Sequence, residues 1–315
     1  MRRVVVDTDT GIDDAHTLLY LAGRDDAEIV AITSVYGNCT EEDATRNIGY
    51  VSRVLGLEVP VARGADAPLR GAAHIAGYVH GKDGLGDLGR DRPLPRVTAE
   101  SGPELLVRLA HEAPGELDLL ALGPLTNLAL ALRLDPELFT KYRSVVIMGG
   151  SGPYAEPGTL LMIDANVNND PEAARAVFAA PRGELVMVGV NVTAGTILDE
   201  RAIGALRASG SVRARLATDI LEAYLDFYQN EWGRRIIPLH DPLAAGILLD
   251  PTFATAHVDG PVNVRGDGFL YRARLMRTHD GLPPVFPYEP APATKVITAV
   301  DAPRFVADFV EVLTR

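Results

Sequence analysis

The stretch VVVDTDTGIDDAH, residues 4–16, places four aspartates directly behind an apolar, β-branched run. The run predicts a buried strand, and Asp13 and Asp14 fall where the next helix should begin. Asp7 and Asp9 are two residues apart, so a continuing strand would point both to one face. Carboxylates this close repel each other and raise one another's pKa, which a bound cation would relieve. All-oxygen ligation favours Ca²⁺ or Mg²⁺ over zinc, so the stretch predicts a hard-cation site.

Short apolar runs alternate with longer amphipathic segments along the chain. The runs predict strands over Arg3–Asp7, Ile29–Ser34, Leu117–Leu122, Ser144–Met148 and Leu185–Val190. The amphipathic segments predict helices over Asp14–Ala22, Glu41–Leu55, Pro103–Ala110, Asn127–Leu134, Pro171–Ala179 and Glu200–Ala208. This alternation indicates an α/β fold with an open, mostly parallel central sheet flanked by helices. In such sheets ligands bind beyond the carboxyl ends of the strands.

The later part of the chain adds smaller features to this core. Ser211–Gly233 predicts one long helix, and the alternating pattern of Phe253–Val285 suggests a small added antiparallel hairpin. A last strand and a closing helix follow. The Gly- and Pro-rich segment Gly64–Pro95 is interpreted as a long functional loop, not as a linker. We therefore expect a single domain over residues 1–315.

Composition excludes several classes of function. The chain has 315 residues and a formal net charge of -12, with its acidic residues spread along it. Nucleic-acid binding needs concentrated Lys and Arg, so no nucleic-acid partner is expected. No run of about 18 apolar residues predicts a membrane span, and the first apolar run leads into aspartates without forming a signal peptide. With Cys39 as the single cysteine, we expect a cytoplasmic protein.

Several known patterns compete for the aspartates. A helix N-terminus favours one nearby carboxylate, which explains Asp13 or Asp14 but not all four aspartates. An EF-hand loop needs Asp or Asn where Gly11 stands and a helix where a strand is predicted, so it is rejected. A haloacid-dehalogenase-type phosphatase would use Asp7 as nucleophile in Asp-x-Asp, although Gly11 occupies the place of its usual Thr or Val.

A further interpretation accounts for more of the chain. DTDTGIDDA behind the first strand resembles the N-terminal signature of the nucleoside hydrolases, the inosine-uridine-preferring ribohydrolase family. Further matches follow in the family's order over roughly residues 4 to 250. They are TSVYGN ending in Asn38, HGKDGLG with His80, GPLTN with Thr126, MGG with Met148, and IPLHDPLAAG with His240 and Asp241.

The resemblance implies Ca²⁺-dependent hydrolysis of the N-glycosidic bond of ribonucleosides. Asp9 would act as general base and as a calcium ligand, and Asp7 would support the site from behind. The other calcium ligands would be Asp14, Asp241 and the main-chain carbonyl of Thr126. The substrate would be held by Asp13, Asn38, His80, Met148, Asp164 and Asn166.

The leaving base would take a proton from His240, because histidine ordinarily titrates near neutrality. Family members commonly form dimers or tetramers, so a homodimer or homotetramer is expected. One departure bears on the substrate: Asp164 stands where the family typically has Glu, before the retained Asn166. It leaves open the contact to the ribose 5′-hydroxyl, and it keeps a non-catalytic, calcium-dependent riboside-binding protein as an alternative. The base preference is also open.

Overall fold

The β-branched runs form the strands of one large sheet. A computed structural model of the protein describes residues 1–88, 92–152, 164–266, 271–275 and 291–315. Its strands are β1 (Arg2–Thr8), β2 (Ala27–Ser34), β3 (Val61–Ala62), β4 (Leu117–Ala121), β5 (Ser144–Met148), β6 (Glu184–Val188), β7 (Ile197–Leu198), β8 (Ile237–Pro238), β9 (Ala254–Gly266), β10 (Tyr271–Leu275) and β11 (Ala293–Val300). All five predicted strands are present, and their ends differ from the prediction by two residues at most.

The order of the sheet across the described residues is β10-β9-β11-β6-β5-β4-β1-β2-β3. The strands from β11 to β3 run parallel, and β9 and β10 add an antiparallel pair at one edge. This pair confirms the start of the hairpin predicted over Phe253–Val285; its continuation lies outside the described residues. A separate antiparallel ladder joins β7 to β8. The predicted open, mostly parallel sheet is therefore confirmed.

Helices cover both faces of this sheet. They are α1 (Ile12–Ala22), α2 (Glu41–Leu55), α3 (Gly77–His80), α4 (Gly102–Glu112), α5 (Thr126–Leu134), α6 (Leu138–Lys141), α7 (Ala165–Asn169), α8 (Pro171–Ala179), α9 (Val190–Thr193), α10 (Glu200–Ser209), α11 (Val212–Asp219), α12 (Glu222–Trp232), α13 (His240–Leu249) and α14 (Ala302–Thr314). Strand β1 shows why its run is continuously apolar: Val4 and Val6 pack into one core cluster and Val5 into the other. None of the helices in the described residues is long and apolar enough to cross a membrane.

The single long helix predicted over Ser211–Gly233 is wrong, because the segment is divided between α11 and α12. Thr218 near the end of α11 donates its hydroxyl to the carbonyl oxygens of Ala214 and Arg215, at 3.0 Å each. Such back-bonding competes with the helical ladder and bends helices. Ile220 and Leu221 at the break are fully buried. Because the residues at the break are apolar and buried, the helical pattern of apolar residues continues across it. The sequence pattern therefore did not reveal the break between α11 and α12.

Candidate active site

The turn after β1 carries the aspartates and is held by hydroxyl groups. Thr10 has a φ of 25°, in the left-handed region that costs energy for a residue with a side chain. The Thr8 hydroxyl accepts the Thr10 N–H at 3.1 Å and donates to Asp14 Oδ1 at 2.5 Å. Asp14 Oδ2 accepts the N–H of Gly11 at 2.9 Å. The strained position is therefore Thr10, whereas Gly11 has an ordinary φ of -82°.

Gly11 is required for a different reason, which is the close approach of Asn38. A Cβ atom on Gly11 would lie 2.5 Å from the Asn38 Nδ2 atom. Asn38 donates its main-chain N–H to Asp9 Oδ2 at 2.8 Å and its Nδ2 to Asp14 Oδ2 at 2.9 Å. A side chain is also excluded at Gly37, because a Cβ there would lie 2.0 Å from Asp9 Oδ2. The end of β2 is thus packed directly against the aspartate turn.

Three buried carboxylates converge in front of this turn. Ligand oxygens of Asp13, Asp14 and Asp241 all lie within 4.8 Å of one another. Burial first, and then repulsion from the neighbouring aspartates, raises the pKa of Asp241 and of Asp9 well above the ordinary value. Burial and the charge of Asp13 also raise the pKa of Asp14. The predicted ligands Asp9, Asp14 and Asp241 therefore share one electrostatic cluster, which Asp13 joins.

The donor chemistry of this cluster fits a hard divalent cation. Asp13 Oδ1 is buried without a hydrogen-bond partner in the part of the chain that the structure describes. Oxygen ligands of this kind suit Ca²⁺ or Mg²⁺. A cation among these carboxylates would remove the repulsion that raises their pKa.

Asp7 lies behind the cluster and is fully buried. Its Oδ1 accepts the Thr33 hydroxyl at 2.5 Å and the Asn127 amide at 2.7 Å. Burial raises the pKa of Asp7 to about 7, partly offset by these two hydrogen bonds. Asp7 is not among the residues that line the cavity described below. This position suits a supporting carboxylate and is unfavourable for the phosphatase alternative, whose nucleophile must reach the substrate.

Thr126 is buried at the start of α5, and the GPLTN turn that carries it packs against Asp9. A Cβ on Gly123 would lie 3.1 Å from the Asp9 Cβ atom. The Thr126 hydroxyl donates to Asp170 Oδ2 at 2.8 Å, which fixes the side chain. The calcium ligand predicted from the sequence is the main-chain carbonyl of Thr126 and not this hydroxyl. That carbonyl as a calcium ligand stays a prediction.

A cavity of about 400 Å³ opens beside the carboxylates at the carboxyl edge of the sheet. It contains most of the predicted substrate residues and an aromatic wall from α3 and α12. The lining residues used below are Asp13, Asn38, His80, Met148, Asp164, Asn166, Tyr224, Tyr228, Trp232, His240 and Asp241. Asp9 and Asp14 are not among the lining residues and reach the cavity through Asn38, whose Nδ2 contacts both.

Another part of the cavity lining comes from the ends of β4 and β5 and the start of α7. Asn166 donates its amide to the carbonyl oxygens of Leu122 at 2.6 Å and Met148 at 3.1 Å. Asp164 caps α7 and also accepts the Gly150 N–H at 2.7 Å. Burial raises the pKa of Asp164 to about 6, against these main-chain hydrogen bonds. The carboxylate that replaces the family's usual Glu is thus used to hold the backbone.

His80, at the end of α3, connects the long loop to the aspartate turn. Its Nδ1 accepts the N–H of Ile12 at 3.2 Å and lies 3.8 Å from Asp13 Oδ1. Burial lowers the pKa of His80 to about 4, so the ring is neutral. The Tyr224 ring lies 5.1 Å from the His80 ring, and its hydroxyl donates to Asp13 Oδ2 at 3.3 Å.

His240, at the start of α13, also lines the cavity and has a partner at each ring nitrogen. Its Nδ1 is 2.7 Å from the Thr193 hydroxyl, and its Nε2 is 3.1 Å from the Tyr228 hydroxyl. Burial, with the nearby His80, lowers the pKa of His240 to about 3. His240 is therefore neutral in this site and does not have the near-neutral pKa expected from the sequence.

Three of these partners were not singled out as site residues from the sequence. They are Tyr224, Tyr228 and Thr193. The spacing of four between the two tyrosines places them on one face of α12, which was the available signal. Thr193 offered no comparable pattern, because its contact with His240 depends on how α9 and α13 pack.

Comparisons with known proteins agree with this geometry. The family model described as inosine-uridine preferring nucleoside hydrolase matches residues 4–307. A probable uridine nucleosidase 2 of Oryza sativa subsp. japonica is 36% identical over 80% of this chain and 75% of its own length. An inosine-uridine preferring nucleoside hydrolase of Crithidia fasciculata is 32% identical over 85% of each chain.

The fold is shared with solved structures as well. A plant nucleoside hydrolase superimposes with a TM-score of 0.88 at 30% identity and covers 99% of both chains. The family model spans nearly the whole described sheet, and its range includes Asp13, Asp14 and Asp241 of the carboxylate cluster. The chain therefore belongs to the nucleoside hydrolase family, whose members are hydrolases that act on N-glycosyl bonds.

Proposed function

We propose that the protein is a Ca²⁺-dependent ribonucleoside hydrolase that releases a free base and ribose. The observation that carries this proposal is the convergence of Asp13, Asp14 and Asp241 at the edge of the 400 Å³ cavity. Membership of the family supports the reaction class. The uridine nucleosidase name of the rice relative makes uridine the first substrate to test.

The metal would be held by Asp9, Asp14, Asp241 and the Thr126 carbonyl. When bound, a divalent cation supplies positive charge that lowers the pKa of a nearby water molecule. Asp9 would take the proton from the attacking water, because Asn38 donates to both of its carboxylate oxygens and so favours the charged form. Asp7 supports this arrangement through Asn127.

The sugar would be oriented by Asp13, Asn38 and Asn166. Cleavage of the N-glycosidic bond builds positive charge on the ribosyl ring, and nearby carboxylates stabilise that charge. Asp164 approaches the 5′ end of the sugar, although its oxygens already hold main-chain N–H groups. Met148 and His80 complete the walls around the substrate.

The leaving base would be protonated from the side of His240. The Tyr228 hydroxyl, 3.1 Å from Nε2, can pass a proton between the imidazole and the base. Thr193 fixes the ring through Nδ1. Because the ring is neutral at rest, His240 would first take up a proton from solvent and then give it to the leaving base, which departs in its neutral form while the ring returns to neutral.

Two alternatives make different predictions in one assay. Wild-type protein is incubated with a panel of ribonucleosides, 2′-deoxyribonucleosides and nucleotides, with and without a chelator, while reducing sugar and phosphate are measured. We expect reducing sugar from ribonucleosides only, and its loss on chelation with recovery on adding Ca²⁺. Phosphate release from nucleotides without sugar release would support the phosphatase alternative. Calcium-dependent nucleoside binding without cleavage would support a binding protein.

We also propose a single cytoplasmic domain over residues 1–315 that acts as a homodimer or homotetramer. The continuous sheet from β1 to β11 supports the single domain. The single cysteine, Cys39, is buried and free, as suits a reducing compartment. Light scattering of the purified protein measures the oligomer.

A further inference from the structure

Asn47 is a buried polar residue of α2 that has no place in the proposed reaction. It is 1% exposed, and it does not line the cavity. Its Nδ2 group donates to the carbonyl oxygen of Thr10 at 3.0 Å and to that of Asp83 at 2.8 Å. The two protons of one amide group therefore join the aspartate turn to the loop that follows His80.

Both carbonyl groups that Asn47 contacts belong to segments of the proposed site. Thr10 is the strained residue of the turn, and it stands between Asp9 and Gly11 in the chain. A main-chain hydrogen bond to its carbonyl opposes relaxation to an unstrained φ, since a buried carbonyl without a partner is costly. Asn47 thus holds the conformation in which Asp9 and Asp14 face the same cluster.

The other end of the connection fixes the loop of residues 80–87. Asp83 accepts the N–H groups of Leu85 and Asp87 through Oδ1 and pairs with Arg92 through Oδ2. The carbonyl of His80 accepts the Gly86 N–H at 2.8 Å. These hydrogen bonds join the loop internally with His80 at its start, and Asn47 connects the loop to the aspartate turn.

Close packing around Asn47 leaves little freedom for another arrangement. Gly84 has a φ of 81°, and a Cβ there would lie 2.8 Å from Cys39 Sγ and 3.0 Å from Asn47 Nδ2. The loop reaches Asn47 only because this position has no side chain. Asn47 Nδ2 also lies 3.7 Å from Cys39 Sγ.

We propose that Asn47 is a positioning residue that sets the geometry of the aspartate turn and of the His80 loop together. The proposal rests on the proposed function, in which Asp9 and Asp14 bind the metal and His80 contacts the substrate. It predicts that one substitution at Asn47 weakens both metal binding and substrate binding, although Asn47 touches neither.

The test compares Asn47→Leu, which keeps the branched shape but removes both donors, with Ser52→Ala on the same helix. Ser52 is buried, and its hydroxyl has no hydrogen-bond partner within the described ranges. Calcium affinity is measured by calorimetry on metal-stripped protein, and KM and kcat for uridine are measured at saturating Ca²⁺. For Asn47→Leu we expect the calcium Kd and the KM each to rise about tenfold. Ser52→Ala should leave both within twofold.

A purely structural role is separated by three further measurements. Melting temperature of the metal-stripped variant reports stability alone, and an Asn47→Leu protein with lower stability but unchanged Kd and KM would overturn the proposal. Asn47→Asp, which also lacks the two donors, is measured if Asn47→Leu does not fold, with the same expected result. In a double variant with His80→Ala, the effect of Asn47→Leu on KM should shrink; full additivity would refute the coupling. Inactive wild-type protein would instead count against the proposed function.

Discussion

Asp9 is the residue on which the proposed chemistry depends most directly. Burial and the neighbouring aspartates raise its pKa, while the Asn38 main-chain N–H lowers it. A bound cation would lower the pKa of Asp9 and so favour its ionised form. A carboxylate that is held at both oxygens and freed of its proton by a nearby cation suits a general base.

Replacement of Asp9 by Asn tests this role. Asn cannot accept a proton from water, so kcat for uridine should fall by about 10²–10⁴-fold. Asp26→Asn is the matched control, because Asp26 is an exposed aspartate, away from the cavity, whose side chain pairs with Arg24. Activity is measured as reducing sugar at saturating Ca²⁺. An Asp9→Asn enzyme with near wild-type kcat would remove the general-base assignment.

Replacement of His240 by Ala separates leaving-group protonation from sugar chemistry. We expect kcat for inosine or uridine to fall by about 10²-fold or more. The loss should be much smaller for a nitrophenyl riboside, because its leaving group needs no proton. The two substrates are compared on the same protein preparation by absorbance. Equal losses on both would contradict a role of His240 in proton donation.

At the scale of elements, helix α12 forms the aromatic wall of the site through its contacts with α3 and with His240 at the start of α13. The Tyr228 ring packs against Tyr224, Phe227 and Trp232, with ring centroids 4.7 to 5.1 Å apart. This packing holds the Tyr228 hydroxyl on His240. Helix α12 therefore contributes both the aromatic wall of the cavity and a polar partner for the proposed acid.

The variant Tyr228→Phe keeps this packing and removes only the hydroxyl. We expect kcat for uridine to fall about tenfold, because His240 loses its partner at Nε2. Tyr142→Phe is a suitable control: its hydroxyl is also buried, but it donates to the Leu106 carbonyl at 2.9 Å, outside the cavity lining. It should lower the melting temperature without changing kcat. If both variants have the same kcat as wild type, Tyr228 has no part in proton transfer.

The elements differ in how far the sequence predicted them. Helix α2 was predicted with its observed ends, because its amphipathic period is a local signal. The aspartate turn was recognised because its residues are contiguous. The contacts of Tyr228 with His240 and of Asn47 with Thr10 were not predicted. They join residues from elements whose relative position is set only by packing of the whole fold.

At the scale of the whole molecule, stability and metal content should be linked through pH. Burial raises the pKa of Asp7 to about 7, and it also raises the pKa values of Asp9, Asp14 and Asp241. A carboxyl with a raised pKa binds more protons when folded, so its contribution to stability is lost as pH rises through the folded value. The buried histidines act in the opposite sense, but only below their unfolded pKa of 6.5.

The melting temperature of metal-stripped protein should therefore fall between about pH 7 and 8, where the histidines are largely neutral in both states. Added Ca²⁺ should raise the melting temperature. The increase should be larger at pH 8, because fewer protons then compete with the ion for the carboxylates. Calorimetry at both pH values, with NaCl at equal ionic strength as control, measures the difference. A calcium effect that does not depend on pH would show that the ion binds elsewhere.

The carboxylate cluster takes Asp14 from the first strand-helix unit and Asp241 from the last third of the chain. During synthesis on the ribosome, the aspartate turn is therefore made long before the residue that completes the cluster. A nascent or truncated chain presents crowded acids without the full ligand set, so high-affinity calcium capture should begin only when α13 docks on α1. High-affinity calcium binding would then follow the folding of the last third of the chain and would distinguish complete molecules from truncated ones.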